Sequence, residues 1–356
     1  MTLRDHVRTA RPRLSAAAGA YAPTVRDATR ALPERLAAFD ALVAEDVGDT
    51  NLHRARGLER ALGIKRLYLK YEGDNPTGTQ KDRIAFAQVR DALARGFGTV
   101  ILATCGNYGV AVALACEAAG LACDIYIPAG YHTERAGEME GLGARVRRLP
   151  GTYEEVVRAS SVLAKASPEP GVGRRYDANP GGANAALQLA AYAGVGREIR
   201  AALTDPPDWC AVPVSNGTLL AGTYRGLVEG ASGAPPPRML AGSSTRKNPI
   251  VSSWRRRLPT CADLDPAKVR ETLVNEPLIN WHAFDGDEAL DAIYATDGAA
   301  DDVSDRDLLA MAALIRKTEG YRVLPASTAG LVGLARRHER EAWGGGTYVA
   351  VLTGRG

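Results

Sequence analysis

The chain has 356 residues, of which 46% are hydrophobic and 24% are charged, a composition typical of a soluble globular protein with about two domains. The net charge of +3 is too small to favour a nucleic acid or a membrane surface as a partner, and no apolar stretch approaches the length of a membrane span. The five cysteines include no Cys-x-x-Cys pair. We therefore expect no metal site, no disulfide framework and a cytoplasmic location.

The first chemically informative segment is a predicted strand that leads to a lysine. Apolar and polar side chains alternate at 66–71, which predicts a strand, and the turn-forming sequence Asn-Pro-Thr-Gly follows at 75–78. A helical pattern continues from 84, so Lys81 is predicted in the first turn of a helix. There the helix N-terminus and low-dielectric surroundings disfavour the ammonium form and favour reaction of the amine with a carbonyl group.

Two later strands end in glycine-containing loops that precede helices. The strand at 99–103 leads to Thr-Cys-Gly-Asn-Tyr-Gly at 104–109, and the strand at 209–214 leads to Ser-Asn-Gly-Thr-Leu at 215–219. Unpaired backbone N–H groups point outward at a helix N-terminus, where the helix dipole also favours an anion. We therefore predict a carboxylate site at the first loop and a phosphate site at the second.

Strands continue to alternate with helices to the end of the chain. The predicted elements are strands at 124–127, 144–149, 238–241 and 347–352, and helices at 32–43, 152–164 and 308–315. This alternation predicts parallel sheets with right-handed crossovers. A nucleotide site is disfavoured, because no Gly-x-Gly-x-x-Gly fingerprint with an acidic residue beyond it is present.

Together these segments resemble the threonine synthase-like branch of the fold-type II pyridoxal-phosphate (PLP) enzymes, in the tryptophan synthase beta superfamily. The lysine motif of that branch reads Asn-Pro-Thr-Gly-Ser-Phe-Lys-Asp-Arg, from which Thr79 and Gln80 depart here. Similar segments lie at 48–52, 104–109, 215–219, 323–330 and 352–354. The matches follow the order of the family and span most of the chain.

The resemblance implies an α/β protein of two three-layer αβα domains with mostly parallel sheets. We expect a large PLP-binding domain of 1–83 plus 175–356, and a smaller, mobile domain of 84–174 that contains the asparagine loop. The implied cofactor is pyridoxal 5'-phosphate, the implied partner is a small-molecule amino-acid substrate, and homodimers are usual in the family.

The resemblance also implies roles for individual residues. Lys81 would bind PLP as a Schiff base and act as the catalytic base, and Asn107 would lie beside the phenolic oxygen of the cofactor. Thr353 would bond the pyridine nitrogen, and a hydroxyl there leaves the ring a weaker electron sink, which is associated with elimination and replacement chemistry. The residues expected at the cofactor phosphate are Ser215, Asn216, Gly217, Thr218 and Leu219. The residues expected at the substrate carboxylate are Thr104, Cys105, Gly106, Asn107 and Tyr108.

Two departures from the branch bear on the substrate. Threonine synthases have Tyr and Arg where Gly181 and Gly182 stand here, and that arginine grips the substrate phosphate through a bidentate fork that glycine lacks. Another cation would have to replace it, for which the candidates are Arg174, Arg175 and Arg246, or the substrate differs. We favour a changed substrate. Leu324 also replaces a usual glutamate of the pocket.

We therefore predict a lyase that carries out elimination or replacement at the β- or γ-carbon of an amino acid with a phosphorylated or acylated hydroxyl. The alternatives are β-replacement on O-phosphoserine or O-acetylserine, as in cysteate or cysteine synthases, and a serine/threonine dehydratase reaction. Two hypotheses come from other classes: a non-catalytic PLP-binding module and a nicotinamide-dependent oxidoreductase. A visible absorption scan distinguishes the oxidoreductase from a protein that binds PLP.

Overall fold

The structure is a computed structural model, and it describes residues 12–104, 106–131, 133, 135–166, 173–230, 235–343 and 345–356. In chain order the strands are β1 (Leu52–Arg54), β2 (Leu67–Tyr71), β3 (Thr99–Ala103), β4 (Ala122–Pro128), β5 (Arg145–Leu149), β6 (Arg175–Asp177), β7 (Trp209–Pro213), β8 (Arg238–Ser244), β9 (Ala299–Val303) and β10 (Tyr348–Leu352). The α-helices are α1 (Ala16–Gly19), α2 (Ala22–Arg26), α3 (Leu32–Asp46), α4 (Arg56–Leu62), α5 (Lys81–Ala94), α6 (Asn107–Ala119), α7 (Ala136–Gly141), α8 (Tyr153–Lys165), α9 (Ala185–Ala202), α10 (Thr218–Val228), α11 (Pro249–Arg255), α12 (Gly286–Ala295), α13 (Asp305–Glu319) and α14 (Ala329–Glu341).

The chain divides into two compact units. The first contains the described residues of Met1–Gly48 together with Asn75–Pro180, and the second contains Asp49–Asp74 and Gly181–Gly356. These bounds differ from the expected ones, because the N-terminal helices and the lysine segment belong with 84–174. Packing explains the difference: α3 lies against α5, and the Phe39 and Phe86 rings are 6.0 Å apart.

The first unit is built on a four-stranded sheet with the order β5-β4-β3-β6. All of its strand pairs are parallel, and β3 is buried along its whole length because it lies inside the sheet. Helix α8 packs against β3, β4 and β6. The carboxyl ends of these parallel strands share one edge of the sheet, and the loop that precedes α6 starts at that edge.

The second unit is built on a six-stranded sheet with the order β1-β2-β10-β7-β8-β9. Only the edge strand β1 is antiparallel, to β2, and the other pairs are parallel. Its core combines strand residues such as Leu69 and Ala350 with helix residues such as Leu58, Leu308 and Leu334. The predicted α/β class with mostly parallel sheets is therefore confirmed.

Helices α9 and α10 cross with their backbones in close contact. A Cβ atom on Gly226 would lie 1.9 Å from the carbonyl oxygen of Ala193, and one on Gly196 would lie 2.2 Å from the carbonyl oxygen of Thr223. Only glycine allows such an approach, since any side chain would push the helices apart. The crossing therefore fixes the position of α10, whose first residue belongs to the predicted phosphate loop.

Across the described ranges, no helix combines the length and the apolar character that crossing a bilayer would require.

Candidate active site

The lysine segment forms a hydrogen-bonded turn that leads directly into α5. The N–H of Gly78 donates to the carbonyl oxygen of Asn75 at 2.8 Å, and Gly78 has a φ of +83°. The buried carboxylate of Asp82 accepts from the N–H of Thr77 at 2.9 Å and from its hydroxyl at 3.0 Å. The turn and the helix are thus tied on both sides of Lys81.

Lys81 is the first residue of α5, as the sequence predicted. Its N–H donates to the hydroxyl oxygen of Thr79 at 3.3 Å, and its Nζ lies 5.7 Å from the centre of the Tyr108 ring. At that distance the ring face attracts a cation. The lysine side chain is therefore directed toward the loop between β3 and α6.

This loop ends at Gly106, the residue before α6. The N–H of Gly106 donates to the hydroxyl oxygen of Thr104 at 3.4 Å, and the N–H of Thr104 donates to the carbonyl oxygen of Tyr126 at 3.0 Å. A Cβ atom on Gly106 would meet no atom within 4 Å, so there is open space beside the N-terminus of α6. That space suits a carboxylate. Cys105, which was also expected here, lies outside the described residues.

The side chain of Tyr108 supports this loop from within. Its hydroxyl donates to the carbonyl oxygen of Ala178 at 2.7 Å and accepts from the amide of Gln88. The ring is buried, so the side chain forms the surface on which Lys81 lies. The hydroxyl of Tyr108 is therefore engaged within the first unit.

Asn107 has a partner that sequence reasoning missed. The guanidinium of Arg135 donates through Nη1 to Oδ1 of Asn107 and through Nη2 to Glu138 at 2.8 Å. Arg135 directly precedes α7 and lies 28 positions beyond Asn107. No local pattern links residues so far apart, and only the tertiary structure reveals the contact.

In the second unit, the predicted phosphate loop connects β7 to α10. Gly217 directly precedes the helix with a φ of +95°, and a Cβ atom there would lie 2.4 Å from the carbonyl oxygen of Asp285. Glycine is therefore required both by the left-handed backbone and by the close approach. The N–H groups of the first turn of α10 are left for an anion, since no preceding turn accepts from them.

Three buried residues hold this loop in place. Asn248 donates to the carbonyl oxygen of Ser215 at 2.9 Å, and Asn280 donates to Oδ1 of Asn216 at 3.0 Å. Asp285 donates its N–H to the carbonyl oxygen of Asn216 at 3.0 Å and accepts from the hydroxyl of Thr218. Because the hydroxyl proton of Thr218 is donated to Asp285, the hydrogen-bond donors that the loop can offer to an anion are mainly its backbone N–H groups.

Thr353 directly follows β10, the neighbour of β7 in the sheet. The two strands are parallel, with Ala350 opposite Ala211, so Thr353 lies at the same carboxyl edge as Ser215. Leu324, at the position of the missing glutamate, donates its N–H to the carbonyl oxygen of Gly354 at 3.0 Å. The backbone at Leu324 thus ties down the chain end just beyond Thr353.

The three arginines that could bind a substrate phosphate lie at different edges of their sheets. Arg175 pairs with Thr99, the first residue of β3, so Arg174 and Arg175 lie at the amino edge of their sheet, opposite the asparagine loop. There the Arg174 guanidinium is 4.4 Å from the centre of the Phe97 ring. This placement does not suit either residue for gripping a substrate. Arg246 follows β8 at the carboxyl edge of the second sheet and is the candidate that remains.

The glycine pair at 181–182 takes the place of a cationic side chain. Gly181 has a φ of +73°, and a Cβ atom there would be 3.1 Å from Cβ of Phe284, whereas one on Gly182 would meet no atom within 4 Å. An aromatic side chain therefore lies beside Gly181, and there is open space beside Gly182.

The chemistry of these groups fits PLP. The cofactor has an aldehyde that a lysine amine can attack, a phosphate that a helix N-terminus can bind and a pyridine nitrogen that a hydroxyl can approach. Each unit contains groups of the matching kind: the first has the amine of Lys81 and the open space at Gly106, and the second has the helix N-terminus after the 215–219 loop and the hydroxyl of Thr353. Fold and donor set define an α/β enzyme of the PLP-dependent class.

Comparison with known proteins gives the same class. The family described as "Pyridoxal-phosphate dependent enzyme" matches residues 43–354. The threonine synthase of Methanocaldococcus jannaschii is 30% identical over 294 residues, which cover 81% of this chain and 69% of that protein. The threonine synthase of Methanosarcina acetivorans is 29% identical over 314 residues, 86% of this chain and 74% of that protein.

Two solved structures share the fold. The processed form of threonine deaminase isoform 2 from Solanum lycopersicum superposes with a TM-score of 0.71 at 17% identity, covering 86% of this chain and 84% of that one. Maize serine racemase superposes with a TM-score of 0.70 at 19% identity, covering 90% and 93%. The chain belongs to the pyridoxal-phosphate-dependent enzymes of fold type II, in the threonine synthase-like branch. The prediction of a PLP enzyme is confirmed.

Proposed function

We propose that the protein catalyses elimination or replacement at the β- or γ-carbon of an amino acid whose side-chain hydroxyl is phosphorylated or acylated. The observation that supports this most strongly is the placement of Lys81 as the first residue of α5, over the ring of Tyr108. The similarity to threonine synthases over most of the chain supports the reaction type.

In this proposal the residues of the first unit bind the substrate and remove its α-proton. Lys81 would hold the cofactor through Nζ, and the same amine, when free, would take the α-proton of the substrate. The N–H groups at the start of α6 hold the substrate carboxylate beside Gly106, which fixes the direction of the α-carbon hydrogen. The bound cofactor supplies the electron sink that stabilises negative charge at the α-carbon.

The residues of the second unit bind the far end of the cofactor. The N–H groups of the 215–219 loop would bind the phosphate, and Asp285, Asn248 and Asn280 hold the loop in its conformation. The Thr353 hydroxyl would hold the pyridine end of the cofactor and, unlike the carboxylate of an aspartate, would leave the ring nitrogen largely unprotonated. A weaker electron sink suits loss of a leaving group from the side chain.

A second candidate is β-replacement on O-acetylserine or O-phosphoserine. It is favoured by Gly181 and Gly182, which put open space and Phe284 where threonine synthases are expected to have a phosphate-gripping arginine. An uncharged acetyl group needs no such cation. A dehydratase reaction on serine or threonine is the third outcome to distinguish.

A panel of amino acids in deuterated buffer tests these reactions. The PLP-loaded protein is incubated with phosphohomoserine, O-phosphoserine, O-acetylserine, serine and threonine, and proton NMR follows the α-proton signal and the products. We expect loss of the α-proton signal and release of the leaving group with at least one activated substrate. Retention of every α-proton signal in the presence of bound PLP would contradict the proposed activity.

We further propose that the protein is a cytoplasmic homodimer, in which 84–174 moves to close the site over the substrate. Cys116, Cys123, Cys210 and Cys261 are all free thiols, which suits a reducing compartment, and symmetric dimers are the commonest assembly. Light scattering coupled to size-exclusion chromatography measures the assembly, and a monomeric mass at working concentration would contradict the dimer.

A further inference from the structure

Arg135 holds Asn107 by a contact whose direction is fixed by chemistry. A guanidinium has five N–H donors and no acceptor, so the atom of the Asn107 side chain that faces it must be the carbonyl oxygen, Oδ1. The hydrogen bond from Nη1 to Oδ1 agrees with this. The NH₂ group of Asn107 is therefore turned away from Arg135.

Arg135 is itself held in place. Its Nε and Nη2 donate to the two carboxylate oxygens of Glu138 at 3.2 Å and 2.8 Å, which is the bidentate geometry that limits the movement of a guanidinium. Its backbone N–H donates to the hydroxyl oxygen of Thr133 at 3.1 Å. With these groups engaged, Nη1 is the end of the fork directed at Asn107.

We propose that Arg135 is a positioning residue that orients the Asn107 amide so that its NH₂ group donates to the phenolic oxygen of the bound cofactor. This inference rests on the proposed function, since it requires Asn107 to lie beside that oxygen. An amide that is free to rotate by half a turn offers either a donor or an acceptor, and an acceptor would repel an anionic oxygen. Arg135 removes the second arrangement.

The consequence is spectroscopic. A donor that stabilises the anionic phenolic oxygen lowers the pKa of the proton bound nearby, and its loss raises that pKa. The visible band of the bound cofactor depends on this proton. Removing the orienting guanidinium should therefore change the pH dependence of that band in the same direction as removing Asn107 itself.

The test compares Arg135→Gln, Arg135→Lys, Asn107→Ala and the double variant, each loaded with PLP, by absorption spectra across the pH range in which the protein stays folded. For Arg135→Gln we expect the midpoint of the visible band to rise by about one pH unit, the size of one hydrogen bond to an ionised group. Arg135→Lys should stay close to the parent protein, because an ammonium also only donates. In the Asn107→Ala background, Arg135→Gln should add nothing, because residues that act through one another are non-additive.

The matched control is Arg90→Gln, which removes an exposed arginine paired with Asp40 in the same unit and should leave the spectrum unchanged. If Asn107→Ala shifts the midpoint but Arg135→Gln does not, or if the two shifts add, the role of Arg135 is wrong while the proposed function stands. If the parent protein has no visible band with PLP, or if Asn107→Ala leaves it unchanged, the proposed cofactor geometry fails and this inference fails with it.

Discussion

Asp82 connects the turn before Lys81 to the helix after it. Its carboxylate accepts two hydrogen bonds from Thr77, and both residues are buried. Removing the acceptor leaves a buried N–H and a buried hydroxyl without this partner, and such a change costs about 1–3 kcal/mol for each group.

We therefore expect Asp82→Ala to lower the free energy of unfolding by about 2–6 kcal/mol and to weaken PLP binding, because the turn no longer fixes Lys81. Asp82→Asn, which keeps an acceptor of the same shape, should cost less than half as much. Urea unfolding followed by fluorescence, with PLP titration, measures both effects. Equal stability of the parent and Asp82→Ala would show that the two hydrogen bonds do not fix the turn.

Gly217 offers a second test at the level of one residue. Gly217→Ala places a Cβ atom 2.4 Å from the carbonyl oxygen of Asp285 on a backbone with a φ of +95°, so the loop must move. We expect a loss of PLP affinity of at least about tenfold, the equivalent of one displaced phosphate hydrogen bond. Equilibrium dialysis with PLP measures it.

The control is Gly96→Ala, because Gly96 also has a positive φ, +70°, but a Cβ atom there would meet nothing within 4 Å. It has the same backbone strain without the close contact. Weakening of PLP binding by both substitutions to the same degree would mean that the approach of Asp285 to the loop is not what matters.

At the level of elements, the crossing of α9 and α10 sets where the phosphate loop begins. Gly226→Ala should destabilise the protein by about 1–3 kcal/mol, the usual cost of overpacking, because its Cβ atom would lie 1.9 Å from the carbonyl oxygen of Ala193. Gly19→Ala, in α1 where nothing lies within 4 Å, serves as the control. Chemical unfolding measures both variants, and an unchanged midpoint for Gly226→Ala would contradict the close packing of the two helices.

The side chain of Tyr71, at the carboxyl end of β2, should make the stability of the fold decrease at alkaline pH. The Tyr71 hydroxyl donates to the carbonyl oxygen of Arg322 at 3.0 Å, and burial raises the pKa of Tyr71 from 10.0 to about 12. Because the folded pKa is the higher one, the neutral phenol contributes stability that is complete below pH 10 and is lost as pH rises through about 12.

Tyr71→Phe should therefore reduce the loss of stability between pH 10 and 12, although it lowers stability at neutral pH by removing one hydrogen bond. Urea unfolding midpoints at several pH values give the slope. A variant with the same alkaline slope as the parent protein would show that Tyr71 is not responsible for it.

The elements themselves follow from local sequence. The alternation at 66–71 predicts β2, and the apolar run at 99–103 predicts β3. The helical pattern that continues from 84, with Lys81 in its first turn, corresponds to α5. These predictions are correct because the two-residue repeat of a strand and the 3.6-residue repeat of a helix are both visible in neighbouring residues. The helix predicted at 152–164 is also observed, as α8.

The polar partners could not be predicted in the same way. The loops accept hydrogen bonds from, or donate them to, four side chains that are distant in sequence, those of Arg135, Asp285, Asn280 and Asn248. Such pairs leave no periodic signal, and each residue alone is typical of a polar surface. The glycines of the loops could be recognised, but the atoms that require them could not.

At the scale of the whole molecule, the sequence predicted two domains, and the compact units of the structure have other bounds, because 12–48 and 75–83 group with 84–174. The described N-terminal residues, 12–48, have no recognisable motif, and their place in the unit of Lys81 follows from the packing of α3 on α5. That packing depends on Phe39 and Phe86, which are 47 positions apart and whose pairing no local pattern shows. Lys81 therefore belongs to the same compact unit as Asn107.

The central claim is that Lys81 holds the cofactor. Other lysines compete for that role: the Lys70 amine is buried and pairs with Glu198 at 2.5 Å, and Lys247 follows β8 at the carboxyl edge of its sheet. The Lys70 amine already donates to Glu198 and to the carbonyl oxygen of Thr50, which leaves it poorly placed to attack an aldehyde. Lys247→Ala is the matched control for Lys81→Ala.

The most direct measurement is borohydride reduction of the PLP-loaded protein, followed by peptide mass spectrometry. We expect one phosphopyridoxyl group on the peptide that contains Lys81, retention of that group in Lys247→Ala, and loss of both the group and the visible absorption band in Lys81→Ala. A label on another lysine, or a visible band that persists unchanged in Lys81→Ala, would contradict the assignment of Lys81 and the proposed mechanism.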